Sequence, residues 1–207
     1  MKDMEKRFKN FKKLKIGVDF DNTIVDYQIP LKILLKRNNI KTKISNKKQA
    51  KKLIIKKFGE KFWTLQQGLL YGKLIQNAKP FTNCKKTLSL LKKDFELILI
   101  SHKTKFPYLG EKFHLHKKSL QWLKNKKFIG NNNIFKFKNV YFETTINKKI
   151  NRIKKAKCDI FIDDLESILK LIPDKLFKIK YGSKSSYYKY SLKWENIPKI
   201  INEEFSN

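Results

Sequence analysis

The sequence predicts a parallel α/β sheet with a small helical cap inserted after its first strand, and three observations carry that expectation. Short apolar runs alternate with amphipathic stretches, as strands alternate with crossover helices. The stretch between the first and second runs is much longer than one crossover needs. Two of the runs end in pairs of aspartates, at the carboxyl edge where open parallel sheets bind ligands. At 207 residues the chain can build one core of ordinary size plus an accessory cap, but not two full domains with separate chemistry.

Five runs read as strands, at 15–20, 95–100, 139–142, 159–162 and 176–181. Between the second and third, residues 111–126 place Phe113, Leu120 and Leu123 at helical spacing with Trp122 alongside, as a helix covering a sheet does. Residues 147–157 form a second such stretch, with Ile150 and Ile153 inward and lysines outward. The long insertion, 28–81, is helical in pattern, with helices expected at 30–38, 46–58 and 60–77, the last stopping before Pro80. Residues 1–27 and 82–207 then make the core and 28–81 the cap. The asparagine run at 131–133 reads as a loop, and the first dozen residues as a loose basic tail.

No stretch approaches the roughly 18 apolar residues of a membrane span, and the lysine-rich start lacks the apolar segment of a secretory signal. A soluble, cytoplasmic protein is expected. Cys84 and Cys158 stand far apart with no CxxC partner, so they read as small buried apolar residues, not as a disulfide or zinc site. The net charge of +31 would attract polyanions. However, only Arg7, Arg37 and Arg152 among the 49 basic residues are arginine, the residue favoured for bidentate phosphate and base contacts. Lys, Ile, Asn and Phe abound throughout while alanine occurs only at 50, 78 and 156, as an AT-rich coding sequence would give. A nucleic-acid partner is therefore not favoured, whereas attraction to a small phosphorylated substrate is a fair consequence of the charge.

The first strand runs into Asp19-Phe20-Asp21-Asn22-Thr23, the second into Ser101-His102-Lys103-Thr104, and the fourth into Asp163-Asp164. Four carboxylates on one sheet edge repel one another unless protons or a cation neutralise them. Oxygen-only ligands select a hard ion, and magnesium fits best. The competing interpretation is structural, with Asp19 and Asp21 in a turn and the second pair capping a helix.

Together with a lysine before the fourth strand, these segments resemble the ordered motifs of the haloacid dehalogenase superfamily over about residues 15–181. The resemblance implies a Rossmann-like core with a helical cap after the first motif. It implies that Asp19 attacks phosphorus to form an aspartyl phosphate, and that Asp21 protonates the leaving oxygen and then deprotonates the hydrolytic water. Thr23 and Ser101 would hold phosphoryl oxygens or support the turn. Magnesium would take an Asp19 oxygen, the Asp21 backbone carbonyl and Asp164, with Asp163 in supporting contact.

For the lysine, Lys148, Lys149, Lys154 and Lys155 are all available. Lys149 is the choice, because it lies near the start of a helix whose amino end faces the sheet's carboxyl edge; Lys148 is the runner-up. Asn22 stands where many relatives carry glycine, a departure that asparagine's tolerance of unusual backbone angles allows.

In the cap, Trp63, Gln67 and Tyr71 recur every four residues and could share a face over the leaving group, with the glutamines bonding it. Alternatively, Trp63 and Tyr71 simply pack cap on core. Gly68 and Gly72 allow close packing or a bend. His102 borders the pocket as a candidate substrate contact, whereas His114 and His116 are expected at the surface.

Overall fold

The structure is a computed structural model that describes residues 13–41, 47–130 and 132–205. The expected basic tail and part of the asparagine loop lie outside these residues. A six-stranded sheet forms the centre, built from β1 (Lys15–Val18), β4 (Glu96–His102), β5 (Val140–Glu143), β6 (Ile160–Asp163), β7 (Phe177–Tyr181) and β8 (Lys189–Ser191), in the order β5-β4-β1-β6-β7-β8. Every pairing in it is parallel. The central strands are apolar on both faces, Ile16, Val18, Ile160, Phe161 and Ile162 being fully buried, as a sheet covered by helices on both sides requires.

Two short strands, β2 (Val25–Asp26) and β3 (Lys79–Pro80), pair antiparallel and bring together the two ends of the helical insertion. Between them run α1 (Gln28–Arg37) and α2 (Lys47–Tyr71), followed by a 3-10 turn over Leu74–Asn77. The α2 helix bends at Gly59, whose φ of 84° and ψ of 168° are not helical. It therefore acts as two helices meeting where the sequence separates 46–58 from 60–77. Gly68 and Gly72 serve close approach instead of bending: a Cβ would lie 2.9 Å from Pro107 Cβ at the first and 2.4 Å from the Phe113 ring at the second.

The remaining helices are α3 (Cys84–Asp94), α4 (Leu115–Asn125), α5 (Ile146–Ala156), α6 (Glu166–Leu169) and α7 (Ile197–Phe205). Residues 111–114, expected as the first turn of a helix, are irregular; α4 begins only after His114, whose ring nitrogen caps it by accepting from the Lys117 amide at 3.3 Å. Both cysteines are buried and unbonded to each other. No described helix is long and apolar enough to cross a membrane.

Candidate active site

Strand order decides where a site can form. The chain leaves β1 towards β4 on one side and leaves β6 towards β7 on the other, so a crevice opens between the carboxyl ends of these neighbours. Val18 pairs with Ile162, and the Asp19 amide donates to the Ile162 carbonyl at 3.0 Å. Register alone thus sets Asp19 beside Asp163 at the mouth of the crevice. Asp19, Asp163 and Asp164 each offer a carboxylate oxygen, and these oxygens lie within 4.8 Å of one another.

Lys149 ties the cluster together. It is buried in the first turn of α5, whose amino end faces the crevice because the helix follows β5. Its Nζ donates to Asp19 Oδ1 and to Asp163 Oδ2, both at 2.6 Å. Lys148 instead gives its backbone amide to Thr145 Oγ1, the helix cap, at 3.2 Å, and does not line the cavity. Asp163 Oδ1 accepts from the Leu165 amide at 2.8 Å, so both Asp163 oxygens are engaged.

Electrostatics follow from this crowding. Burial, opposed by Lys149 and reinforced by Asp163, pushes the Asp19 carboxyl from 3.8 up to about 6. Asp164 is raised well above the ordinary carboxylate range by burial, then by Asp163 and Asp19. Burial opposes the Lys149 charge, but Asp19 and Asp163 outweigh it and raise its pKa. One ammonium therefore does not neutralise three neighbouring acids. With Asp163 already occupied by Lys149 and a backbone amide, Asp19 and Asp164 retain oxygens for a cation, and an all-oxygen set suits a hard divalent ion.

Asp21 follows in a tight turn. The amides of Ile24 and Val25 both donate to the Phe20 carbonyl at 3.0 Å, and Asn22 takes a φ of 60°, the left-handed conformation for which asparagine is suited. Asp21 is flanked by two donors that the motif reading did not include. The Tyr27 hydroxyl donates to Oδ1, and the Lys103 ammonium lies 2.7 Å from Oδ2. Lys103 was legible in part: it continues a buried strand directly after Ser101-His102. Tyr27 had no sequence signal beyond its closeness to the first motif.

A cavity of about 310 Å³ opens over these groups. Asp19, Asp21, Ser101, His102, Lys149, Asp163 and Asp164 line its floor, while Lys47, Thr64, Gln67 and Tyr71 line it from α2. Ser101 is buried at the carboxyl end of β4. Burial lowers the His102 pKa, partly offset by a backbone hydrogen bond at Thr144, and so disfavours the charged ring.

Trp63, Gln66 and Thr23 stand away from the cavity, which leaves the packing reading for Trp63 and the turn-supporting one for Thr23, and His116 is not free at the surface. Trp63 is buried and does not line the cavity. At 100° per residue a four-residue step drifts about 40° round a helix, so a residue eight positions before Tyr71 has rotated off its face. Gln66 also turns inward, its Oε1 accepting from Asn38 Nδ2 at 3.2 Å; only Gln67 faces the cavity. Thr23 is fully buried, lines no part of the cavity, and its hydroxyl has no hydrogen-bond partner among the described residues. Its carbonyl accepts from Trp194 Nε1 at 3.0 Å, so it supports the turn. His116 is likewise no free surface group, its Nε2 lying 2.8 Å from the Lys103 carbonyl.

No family model matches the chain, and no curated protein matches it. Solved structures do. A haloacid dehalogenase-like hydrolase from Streptococcus pneumoniae superposes with a TM-score of 0.62 at 12% identity, covering 91% of this chain and 98% of that one. A haloacid dehalogenase superfamily hydrolase from Geobacter sulfurreducens gives 0.57 at 10% identity, over 93% and 99%. A hydrolase of the same superfamily from Bacillus subtilis, bound to magnesium, gives 0.56 at 13% identity, over 93% and 100%. With a parallel sheet in the order β5-β4-β1-β6-β7-β8 and its acidic pairs at the ends of β1 and β6, the chain has the fold of the haloacid dehalogenase-like hydrolases.

Proposed function

We propose that the chain is a magnesium-dependent phosphohydrolase that acts through an aspartyl phosphate on a small phosphorylated metabolite such as a sugar phosphate or nucleotide. The observation that carries this reading is the Lys149 bridge between Asp19 and Asp163, with Asp164 beside them, at the floor of a cap-covered cavity. Asp19 and Asp164, with the Asp21 carbonyl, would hold the ion, which supplies positive charge against the transferring phosphoryl group.

The residues divide the chemistry between them. Lys149 holds the Asp19 carboxylate in place and offsets charge at the phosphoryl oxygens. Asp19 attacks phosphorus in line, so that a bond forms from its oxygen while the ester oxygen leaves with the proton Asp21 gives it. Asp21, now a base, takes a proton from water; the water oxygen attacks the aspartyl phosphate, releasing inorganic phosphate and restoring both aspartates. Ser101 borders the same floor and would donate to a phosphoryl oxygen. A cavity of about 310 Å³ suits a metabolite, lying at the lower end of the usual range for small-molecule sites.

Asp19→Asn should abolish magnesium-dependent phosphate release from p-nitrophenyl phosphate, a loss of more than about a thousandfold for a missing nucleophile. A variant as active as the parent would sink the assignment, as would parent activity unchanged by chelator.

A further inference from the structure

We propose that Lys103 is a further substrate-binding residue, one that holds an oxygen acceptor on the leaving group beside Asp21, as the hydroxyls of a sugar phosphate would supply; the inference rests on the phosphohydrolase reading. Lys103 is 4% exposed and lines the cavity, one residue beyond β4. Its Nζ lies 2.7 Å from Asp21 Oδ2 but without the alignment of a hydrogen bond, and it meets no other acceptor among the described residues. This ion pair engages one side of the ammonium and leaves N–H donors over, which proteins rarely bury without a further acceptor.

Its neighbours fix where that partner sits. Lys103 lies 5.5 Å from the Phe20 ring centroid and 4.6 Å from that of Tyr71, which belongs to the insertion. Lys47 stands 4.9 Å from the same Tyr71 ring and bonds its hydroxyl. Lys103 is therefore on the side of the cavity where α2 meets the floor, apart from Lys149, which is spent on Asp19 and Asp163. Orienting Asp21 does not need Lys103 alone, because the Tyr27 hydroxyl already holds Oδ1. An ester oxygen that takes its proton from Asp21 brings the atoms attached to it next to Lys103. A hydroxyl on a neighbouring carbon accepts the free N–H bond, whereas an aryl leaving group offers nothing to accept it.

The test compares three probes by calorimetric titration of the magnesium-loaded protein: glucose 6-phosphate, phenyl phosphate and inorganic phosphate. Lys103→Met should weaken glucose 6-phosphate roughly tenfold or more, the usual value of a charge-assisted hydrogen bond, and leave the other two within about twofold. Lys103→Arg should recover part of the loss, and thermal melts of each variant verify folding. Equal weakening of all three probes, or no weakening of any, overturns the proposal. A parent protein that binds the probes and hydrolyses neither ester strikes the hydrolase reading while the affinity comparison still decides Lys103. A parent that binds none of them overturns both.

Discussion

Asp19 and Asp164 are held in a site that disfavours their ionised forms before any ligand arrives. Burial leads both shifts, and the sign of the consequence is fixed. Because the folded-state pKa of Asp19 is raised from 3.8 to about 6, the folded chain binds more protons than the unfolded one between those values. Its contribution to stability is present at low pH and lost as pH rises through about 6. A divalent ion relieves the same repulsion at neutral pH. Magnesium should therefore raise the melting temperature at pH 7.5 by several degrees, equivalent to about 3 kcal/mol at a hundredfold excess over Kd. The gain should shrink at pH 5, where protons compete; melts with magnesium and with chelator at both pH values check this, and an equal gain at both would contradict it. Thr23 makes the opposite kind of case. Its buried hydroxyl has no partner among the described residues, so Thr23→Val should keep or slightly raise stability, within about 1 kcal/mol by denaturant unfolding. A larger loss would mean that the hydroxyl is satisfied. At this scale the sequence was most informative where residue type and place at the end of a strand or the start of a helix coincide, as for Asp19, Asp163 and Lys149. It was least informative for Lys103, Tyr27 and Lys47, whose partners come from segments distant in sequence or from a rotamer that no spacing specifies.

Among the elements, β1 shows how packing is written into single positions. Gly17 sits where a Cβ would lie 2.4 Å from the Phe161 ring and 3.0 Å from Cys158 Sγ. Gly17→Ala should destabilise the fold by about 1–3 kcal/mol through overpacking of the face that supports Asp19. Denaturant unfolding measures it, and a neutral result would show that the sheet and its helix have slack. The strands that position the site were legible because their apolar runs are buried on both faces, and α5 because lysines fill its outer side. In contrast, β8 was not expected: Lys189–Ser191 is a short edge strand with two exposed residues of its three and no apolar alternation. The α3 helix carries a signal that was available, since Cys84, Leu88 and Leu91 follow i, i+4, i+7 spacing and all are buried. α7 has Ile197 and Ile201 buried at the same i, i+4 interval, but too few turns for the period to stand out.

For the whole molecule, the charge of +31 is a property of the entire sequence, while the candidate chemistry is confined to one cavity. A chain built for polynucleotide ends would remove terminal phosphate from oligonucleotides and lose them steeply as salt rises; indifference to oligonucleotides in a phosphate-release screen is expected. The thiols report on the intact fold. Burial, then Asp159, pushes the Cys158 pKa from 9.0 up to about 12, and burial raises Cys84 well above 9.0. In native conditions at pH 8 both should react with a thiol reagent far more slowly than in denaturant, following opening of the core instead of thiolate chemistry. Fast labelling of either would contradict the packing described.

Transfer of a phosphoryl group to Asp19 is most directly tested by acid-quenching the protein during turnover of a small activated donor such as acetyl phosphate, then mapping peptides by mass spectrometry. A phosphoryl group is expected on the peptide containing Asp19, present with magnesium, absent with chelator and absent from Asp19→Asn. Turnover that continues with that peptide unmodified, or in the Asp19→Asn variant, would contradict it.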